Sequence, residues 1–175
     1  MTNRMSFRDS FLEMFDSITT PYNECLNLLR QNIKLDPGFK GFYDWARENH
    51  IPIVILSSGT VPMIRTLLDS LLGPGWDIQI VEYSHHGHDK SLEIHKYSSL
   101  SNRPILFYAG DGISDLSAAK ETDLLFAKAD KELVVWCERE EVLFVTFRDW
   151  NSILETGKKI AAGLVTVENT ANGRI

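Results

Sequence analysis

The stretch Pro104-Ile105-Leu106-Phe107-Tyr108-Ala109-Gly110-Asp111-Gly112-Ile113-Ser114-Asp115 decides how the rest of the chain is read. Its first half is an apolar run that predicts a strand over 104–109, and the run ends in Gly-Asp-Gly. A second acid, Asp115, stands four positions after the first. Two glycines let the backbone turn sharply and come close to a ligand. Two carboxylates just past a strand end suit a hard cation such as Mg²⁺, which takes oxygen ligands and keeps several waters. Asp115 also has a structural reading, because the macrodipole favours an acid at a helix start. Asp111, set between glycines at the end of a strand, has no comparable structural role and is the strongest candidate.

Working outward, strands and helices alternate. Ile51 to Leu56 is an Ile- and Val-rich run of the kind expected for a strand covered on both faces. A helix is predicted from about Val61 to Leu72, with Met63, Ile64, Leu67, Leu68 and Leu71 inward and Gly73 as its stop. A weak strand at 78–81, a helix at 89–97, a helix at 114–121, strands at 124–127 and 142–147, an intervening helix through Leu133 and Trp136, and a last helix at 150–162 continue the pattern. Alternation of this kind predicts an α/β fold with a mostly parallel sheet and helices on both faces, in which ligands sit at the carboxyl ends of the strands. Both Ser57-Ser58-Gly59 and Gly110-Asp111-Gly112 fall at such ends.

Upstream the reading is helical. Phe7, Phe11, Phe15 and Ile18 form one apolar stripe, Leu26, Leu29 and Ile33 a second, and Phe39, Phe42, Tyr43 and Ala46 a third. Thr20-Pro21 and Asp36-Pro37 both read as an N-cap followed by proline at the first helical position. The organisation expected is a single domain over 1–162, with a helical segment at about 6–35, an α/β core at 36–162 and a frayed polar tail at 163–175.

Composition narrows the function classes. The 175 residues are 43% hydrophobic and 24% charged, with a formal net charge of −6. The basic residues are scattered among acids, so no electrostatic footprint for nucleic acid or anionic lipid is present. No apolar run approaches the length of a membrane span, and the opening MTNRMSFRDSF is too polar for a secretory signal. Cys25 and Cys137 lie far apart and read as free thiols in a reducing compartment, which makes the cytoplasm the expected location. Oligomeric state is not legible.

Three further constellations remain. Small polar residues between a strand and a helix, Ser57-Ser58-Gly59-Thr60, can offer hydroxyls and N–H groups to phosphate; taken alone, they read as an ordinary loop with Thr60 as N-cap. His85-His86-Gly87-His88 reads as a solvated loop, since tetrahedral metal sites draw ligands from separated segments. Lys90, at a helix start, can neutralise phosphate charge. The order hydroxyl loop, lysine, Gly-Asp-Gly-x-x-Asp resembles the haloacid dehalogenase-like (HAD) phosphatases, and within them the phosphoserine-phosphatase-like branch. Asp115-Leu116-Ser117-Ala118-Ala119-Lys120 and Asp123-Leu124-Leu125-Phe126-Ala127 are similar to that branch too, and the likeness runs from about Ser6 to Ala162.

The resemblance implies a Rossmann-like three-layer core and Mg²⁺-dependent hydrolysis of a small phosphorylated metabolite. It places Ser57, Ser58 and Gly59 on the phosphoryl group, Lys90 as a catalytic and substrate-binding residue, and Asp111 with Asp115 at the metal. The family's chemistry starts from Asp-x-Asp on a first strand, where the first acid is the nucleophile and the second the acid–base. No two aspartates of this chain are separated by one residue, and the sequence opens directly into the helical cap segment. A shorter excursion between Trp76 and His85 is a second departure. The expectation is therefore a cropped HAD-like core with its nucleophile strand missing through a truncated product or gene model, Mg²⁺ weakly held, and activity lost or nearly so. The alternative is a non-catalytic protein that binds a phosphate ligand or a partner.

Overall fold

The computed structural model describes residues 7–57, 59–81 and 89–171. Helices α1 (Phe7–Asp16), α2 (Tyr22–Asn32) and α3 (Phe39–Glu48) lead into β1 (Val54–Leu56), α4 (Val61–Leu72), β2 (Gln79–Val81) and α5 (Ser91–Ser98). Strand β3 (Phe107–Gly110) passes through a 3-10 turn (Ile113–Asp115) into α6 (Leu116–Ala119). Then come β4 (Leu124–Lys128), α7 (Glu132–Arg139), β5 (Val145–Phe147), α8 (Trp150–Ala161) and α9 (Val167–Ala171).

Every strand pair is parallel, as the alternation predicts, but the described strands form two sheets rather than one. β1 pairs with β2 in the register Ile55↔Ile80. β4 lies between β3 and β5, with Tyr108↔Leu125 and Phe126↔Val145 opposite one another. Strand β4 is the centre of the core, with Leu124, Leu125, Phe126 and Ala127 all at 2% exposure or less. Alternate side chains of a strand point to opposite faces, and they divide the core accordingly. Leu124 and Phe126 pack with Val145, Phe147, Ile153, Phe42 and Trp150, whereas Leu125 and Ala127 pack with Leu133, Cys137 and Phe144. A third cluster, Tyr43, Leu68 and Ile78 with Ile53 and Ile55, covers the β1–β2 sheet. The neighbours Phe42 and Tyr43 thus enter different clusters, so α3 holds both sheets from one side.

Several local expectations shift for identifiable reasons. The Ile51 N–H closes the end of α3 on the Ala46 carbonyl, 2.8 Å, and Pro52 has no donor, so the β1 ladder starts only at Val54. Pro104 and Ile105 likewise stay outside β3, and the Leu106 N–H is taken by the Asp123 carboxylate at 2.7 Å. Thr20 is not the cap of α2; Pro21 holds that place, and Ile18 and Ile33 lie beyond the helices assigned to them. Asp36 does not cap α3, because Gly38 intervenes in the left-handed region at φ +85°. A Cβ at Gly38 would stand 2.4 Å from the Asn151 nitrogen, so this position admits only glycine. The 163–175 tail is not wholly frayed: α9 forms in it, and Val167 packs against the β4–β5 cluster. No helix among the described residues is long and apolar enough to cross a membrane.

Both cysteines are free. Burial pushes the Cys137 thiol up to about 11, whereas Cys25 is only half-buried. Since the thiolate is the reactive form, a chromogenic disulfide reagent at neutral pH is expected to titrate Cys25 quickly and Cys137 only after denaturation. Two rapid equivalents in the native protein would contradict the packing of α7.

Candidate functional site

The site is built around one buried carboxylate. Asp115 is 3% exposed, and both of its oxygens are used. Oδ1 is paired with the Lys90 ammonium and also accepts the Tyr108 hydroxyl at 2.7 Å. Oδ2 accepts the backbone N–H groups of Asp111 and Gly112 at 2.9 and 3.0 Å. Burial works to raise the Asp115 carboxyl, but bonds from Lys90, the Gly112 N–H and Tyr108, together with the Lys90 charge, outweigh it and hold the group below its ordinary value. Gly110 makes the geometry possible. A Cβ there would lie 2.5 Å from Asp115 Oδ2 and 2.6 Å from its Cγ.

Lys90 comes into this cluster from the opposite side. The Asp89 carboxylate accepts the Ser91 N–H at 3.0 Å and starts α5, leaving Lys90, 8% exposed, turned inward. Its ammonium lies 5.9 Å from the centroid of the Tyr108 ring, within range of a cation–π attraction. Lys90 and the Gly-Asp-Gly turn, 20 residues apart in the sequence, are therefore joined through Asp115.

Asp111 differs from Asp115 in every respect. Its backbone carbonyl accepts the Leu133 N–H at 3.1 Å, which ties the turn to α7. Its carboxylate is exposed, and no hydrogen bond or ion pair among the described residues engages it. Beside it lies a shallow cleft of about 280 Å³ lined by Asp36, Lys128, Lys131, Phe147 and Trp150. Asp36 pairs with the Lys128 ammonium and accepts the Trp150 N–H at 3.1 Å, so the segment before α3 is pinned to the end of β4. A second cavity of about 540 Å³, bordered by Arg148, Ser152 and Thr156, contains none of the candidate site residues Ser57, Gly59, Lys90, Asp111 and Asp115.

At the end of β1, Ser57 Oγ accepts the Gly59 N–H at 3.1 Å. Thr60 stands at the cap position of α4 without bonding the helix, and its hydroxyl is buried with no partner among the described residues. Ser58 and the histidines 85, 86 and 88 lie outside the described residues. No hydrogen bond among the described residues connects Ser57 or Gly59 with Lys90 or Asp111; the two halves of the rim stand on separate sheets. No group of three potential metal ligands occurs among the described residues. The donor set fits a cation only in part, because Asp111 offers an uncommitted carboxylate while the oxygens of Asp115 already serve four donors.

A parallel α/β core with Asp111 and Lys90 at its rim can be compared with known proteins. Residues 2–120 match the haloacid dehalogenase-like hydrolase family. The polyol phosphate phosphatase PYP1 of Saccharomyces cerevisiae is 43% identical over 189 aligned positions, covering 93% of this chain and 78% of the yeast protein. The chain belongs to the haloacid dehalogenase-like hydrolase family. A second relative, Pdp3-interacting factor 1 of Schizosaccharomyces pombe, is 42% identical, with 89% of this chain and 77% of that protein covered. The 2-hydroxy-3-keto-5-methylthiopentenyl-1-phosphate phosphatase of Bacillus cereus is 25% identical, with coverage of 87% and 77%. The 189 positions aligned with the yeast phosphatase exceed the 175 residues here, so the yeast protein has residues facing gaps in this chain.

Tyr108, Asp36, Lys128 and Lys131 escaped the sequence reading. Tyr108 sits inside an apolar strand and looks like core. Lys128 closes Leu-Leu-Phe-Ala-Lys, and a base at the carboxyl end of a buried strand was the available signal.

Proposed function

We propose that this chain is a phosphomonoester-binding member of the HAD phosphatases whose own turnover is lost or nearly so. The observation that carries this reading is the Lys90–Asp115–Tyr108 cluster beneath the Asp111 turn, a polar assembly built at the carboxyl end of β3, where ligands of parallel sheets bind. In this reading Asp111 is the direct ligand of a weakly held Mg²⁺, and Asp115 acts by shaping the turn and holding Lys90. When bound, the cation would screen the charge of a phosphoryl group; Ser57, Ser58 and Gly59 contribute hydroxyl and N–H contacts from the other half of the rim. The ligand class is a small phosphorylated metabolite, supported by the names of the yeast and Bacillus relatives. In this reading turnover is lost because no Asp-x-Asp pair stands among the 175 residues to supply nucleophile and acid–base. Losing a catalytic nucleophile costs several orders of magnitude in rate.

The test combines hydrolysis of an aryl phosphate with thermal denaturation, each with Mg²⁺ and with chelator. Hydrolysis at the buffer rate is expected, together with a rise in melting temperature on adding Mg²⁺ and inorganic phosphate that Asp111→Asn abolishes. Metal-dependent turnover removed by Asp111→Asn would show an active enzyme instead. No shift with either ligand would favour the second reading, a partner-binding HAD-like scaffold, which the name of the fission-yeast relative also supports.

A further inference from the structure

Two lysines and the starts of two helices meet at the shallow cleft beside Asp111, and one of the lysines has no partner among the described residues. Lys131 stands at the N-cap of α7, and its side chain makes no capping bond there. Ser, Thr, Asp and Asn are the usual residues at this position, because they accept the free N–H groups, and a cation there opposes the helix dipole. Lys131 is exposed and lines the cleft, with no hydrogen bond or ion pair among the described residues. Helix α7 itself begins against the Gly-Asp-Gly turn, through the Leu133 N–H and the Asp111 carbonyl at 3.1 Å.

The other lysine is neutralised by the chain. Lys128 closes β4, and its ammonium lies 5.1 Å from the centroid of the Phe147 ring, a cation–π contact that keeps it at the cleft. Its partner is the Asp36 carboxylate. The same carboxylate accepts the N–H of Trp150, the first residue of α8, at 3.1 Å. Lysine ammoniums and the first N–H groups of helices are donors that bind phosphate. Asp36 is thus an internal oxyanion seated among the donors of an oxyanion site.

Asp36 can leave at small cost. The Trp150 N–H also donates to the Pro37 carbonyl at 2.9 Å, so it keeps an acceptor when the carboxylate swings away. The side chains of Lys128 and Asp36 are 24% and 29% exposed, so water reaches both. The linker stays in place, because Gly38 is packed against Asn151. Only one side chain has to move.

Size and donor type define the replacement. The cleft, about 280 Å³, falls just under the roughly 300–1,000 Å³ of ligand pockets and suits one anionic group rather than a whole metabolite. A planar carboxylate is best matched by the fork of an arginine, and no arginine lines the cleft; lysine acts as a point charge, which suits a phosphoryl group. With Asp36 turned out, two ammoniums face a group carrying a charge of about −2, and the Asp111 carboxylate on the cleft wall opposes them by one charge.

We propose that the cleft beside Asp111 is a phosphoryl subsite formed by Lys131, Lys128 and the start of α8, and that Asp36 occupies it as an internal competitor until a ligand arrives. The subsite uses neither Ser57 nor Lys90 and needs no cation, so it goes beyond the phosphomonoester reading. It accepts a phosphoryl group other than the one assigned to the hydroxyl loop, either free phosphate or the second phosphoryl group of a small bisphosphate.

The test is a titration of the ¹⁵N-labelled chain with inorganic phosphate, in chelator and at constant ionic strength, with melting temperatures measured alongside. The wild-type chain is expected to bind weakly, with saturable shifts of the Lys131 and Trp150 amides. Asp36→Asn retains an oxygen for the Trp150 N–H and removes the competing charge, so it should tighten phosphate about tenfold. Lys131→Met, at an exposed position with no partner to lose, should weaken phosphate about tenfold in either background and leave the melting temperature without phosphate unchanged. A short alkanediol bisphosphate that binds more tightly than inorganic phosphate, with the same two amides shifting, would assign the subsite to a second phosphoryl group; equal affinity would assign it to free phosphate. Equal phosphate affinity in the wild type and both variants would overturn the proposal, as would acetate acting as well as phosphate or shifts confined to Ser57, Gly59 and Lys90. Because chelator is present throughout, these outcomes are independent of whether Mg²⁺ binds at Asp111.

Discussion

Asp115→Ala is expected to cost about 3–5 kcal/mol of folding stability, the range observed when one partner of a buried ion pair is removed. In a chain of this size each kcal/mol lowers the melting temperature by roughly 2–4 °C, so the drop should be about 6–20 °C. The loss has three separate origins. Lys90, 8% exposed, is left with a charge inside the protein and no counter-charge. The Tyr108 hydroxyl loses its acceptor, and two N–H groups of the Gly-Asp-Gly turn lose theirs. Adding Lys90→Met should recover part of the deficit, because the first of these penalties then disappears. Equal stability of the single and double variants would mean that Lys90 reaches solvent once released and that the pair contributes little.

Acid denaturation tests the same residue. Its carboxyl is held below the ordinary 3.8 in the folded chain, so its stabilisation is complete above that value and is lost as pH falls through the lower folded value. Asp115→Asn should therefore be less stable at neutral pH, and its stability should fall less steeply below about pH 4. Parallel acid limbs in the two proteins would assign the titration to other carboxylates.

Both the expectations that held and those that shifted trace to particular residues. α4 is legible to the residue, since its apolar stripe is long and Gly73 ends it at φ +81°. The β3 turn is legible because Gly-Asp-Gly after an apolar run admits few structures. Two boundaries moved through distant partners, the Asp123 carboxylate for Leu106 and Asn151 crowding Gly38, which no local pattern encodes; at Ile51 the shift is local, set by the Ala46 carbonyl at the end of α3 and by Pro52. The separation of the sheets was legible only indirectly, since Ile51 to Leu56 has the composition of a strand covered on both faces and yet stands half-exposed. Asp115 is the instructive residue at the site. Its spacing from Asp111 marks it as functional, but its role in holding Lys90 and the turn depends on Tyr108, which no motif includes.

Gly110→Ala is expected to be strongly destabilising although it adds only one methyl group. Many strand glycines accept alanine, and here φ is not the obstacle, since Gly110 lies outside the left-handed region. The obstacle is Asp115: the new methyl would stand 2.5 Å from Oδ2, 2.6 Å from Cγ and 2.7 Å from Cβ. These are not the atoms of a mobile surface chain, because four donors hold the carboxylate in place. Either the carboxylate moves and the Lys90 pair breaks, or β3 moves away from Leu125 and Phe126. Overpacking of a well-filled site costs about 1–3 kcal/mol, and losing the turn's bonds adds to it, so a deficit on the order of 3 kcal/mol is expected. Chemical denaturation of Gly110→Ala, Asp115→Ala and the double variant separates the two sources. The double variant should be more stable than the sum of the single losses implies, by about 0.5–3 kcal/mol, since the carboxylate that the methyl strikes is already gone. Strict additivity would place the strain elsewhere, on the Asp115 Cβ that alanine retains.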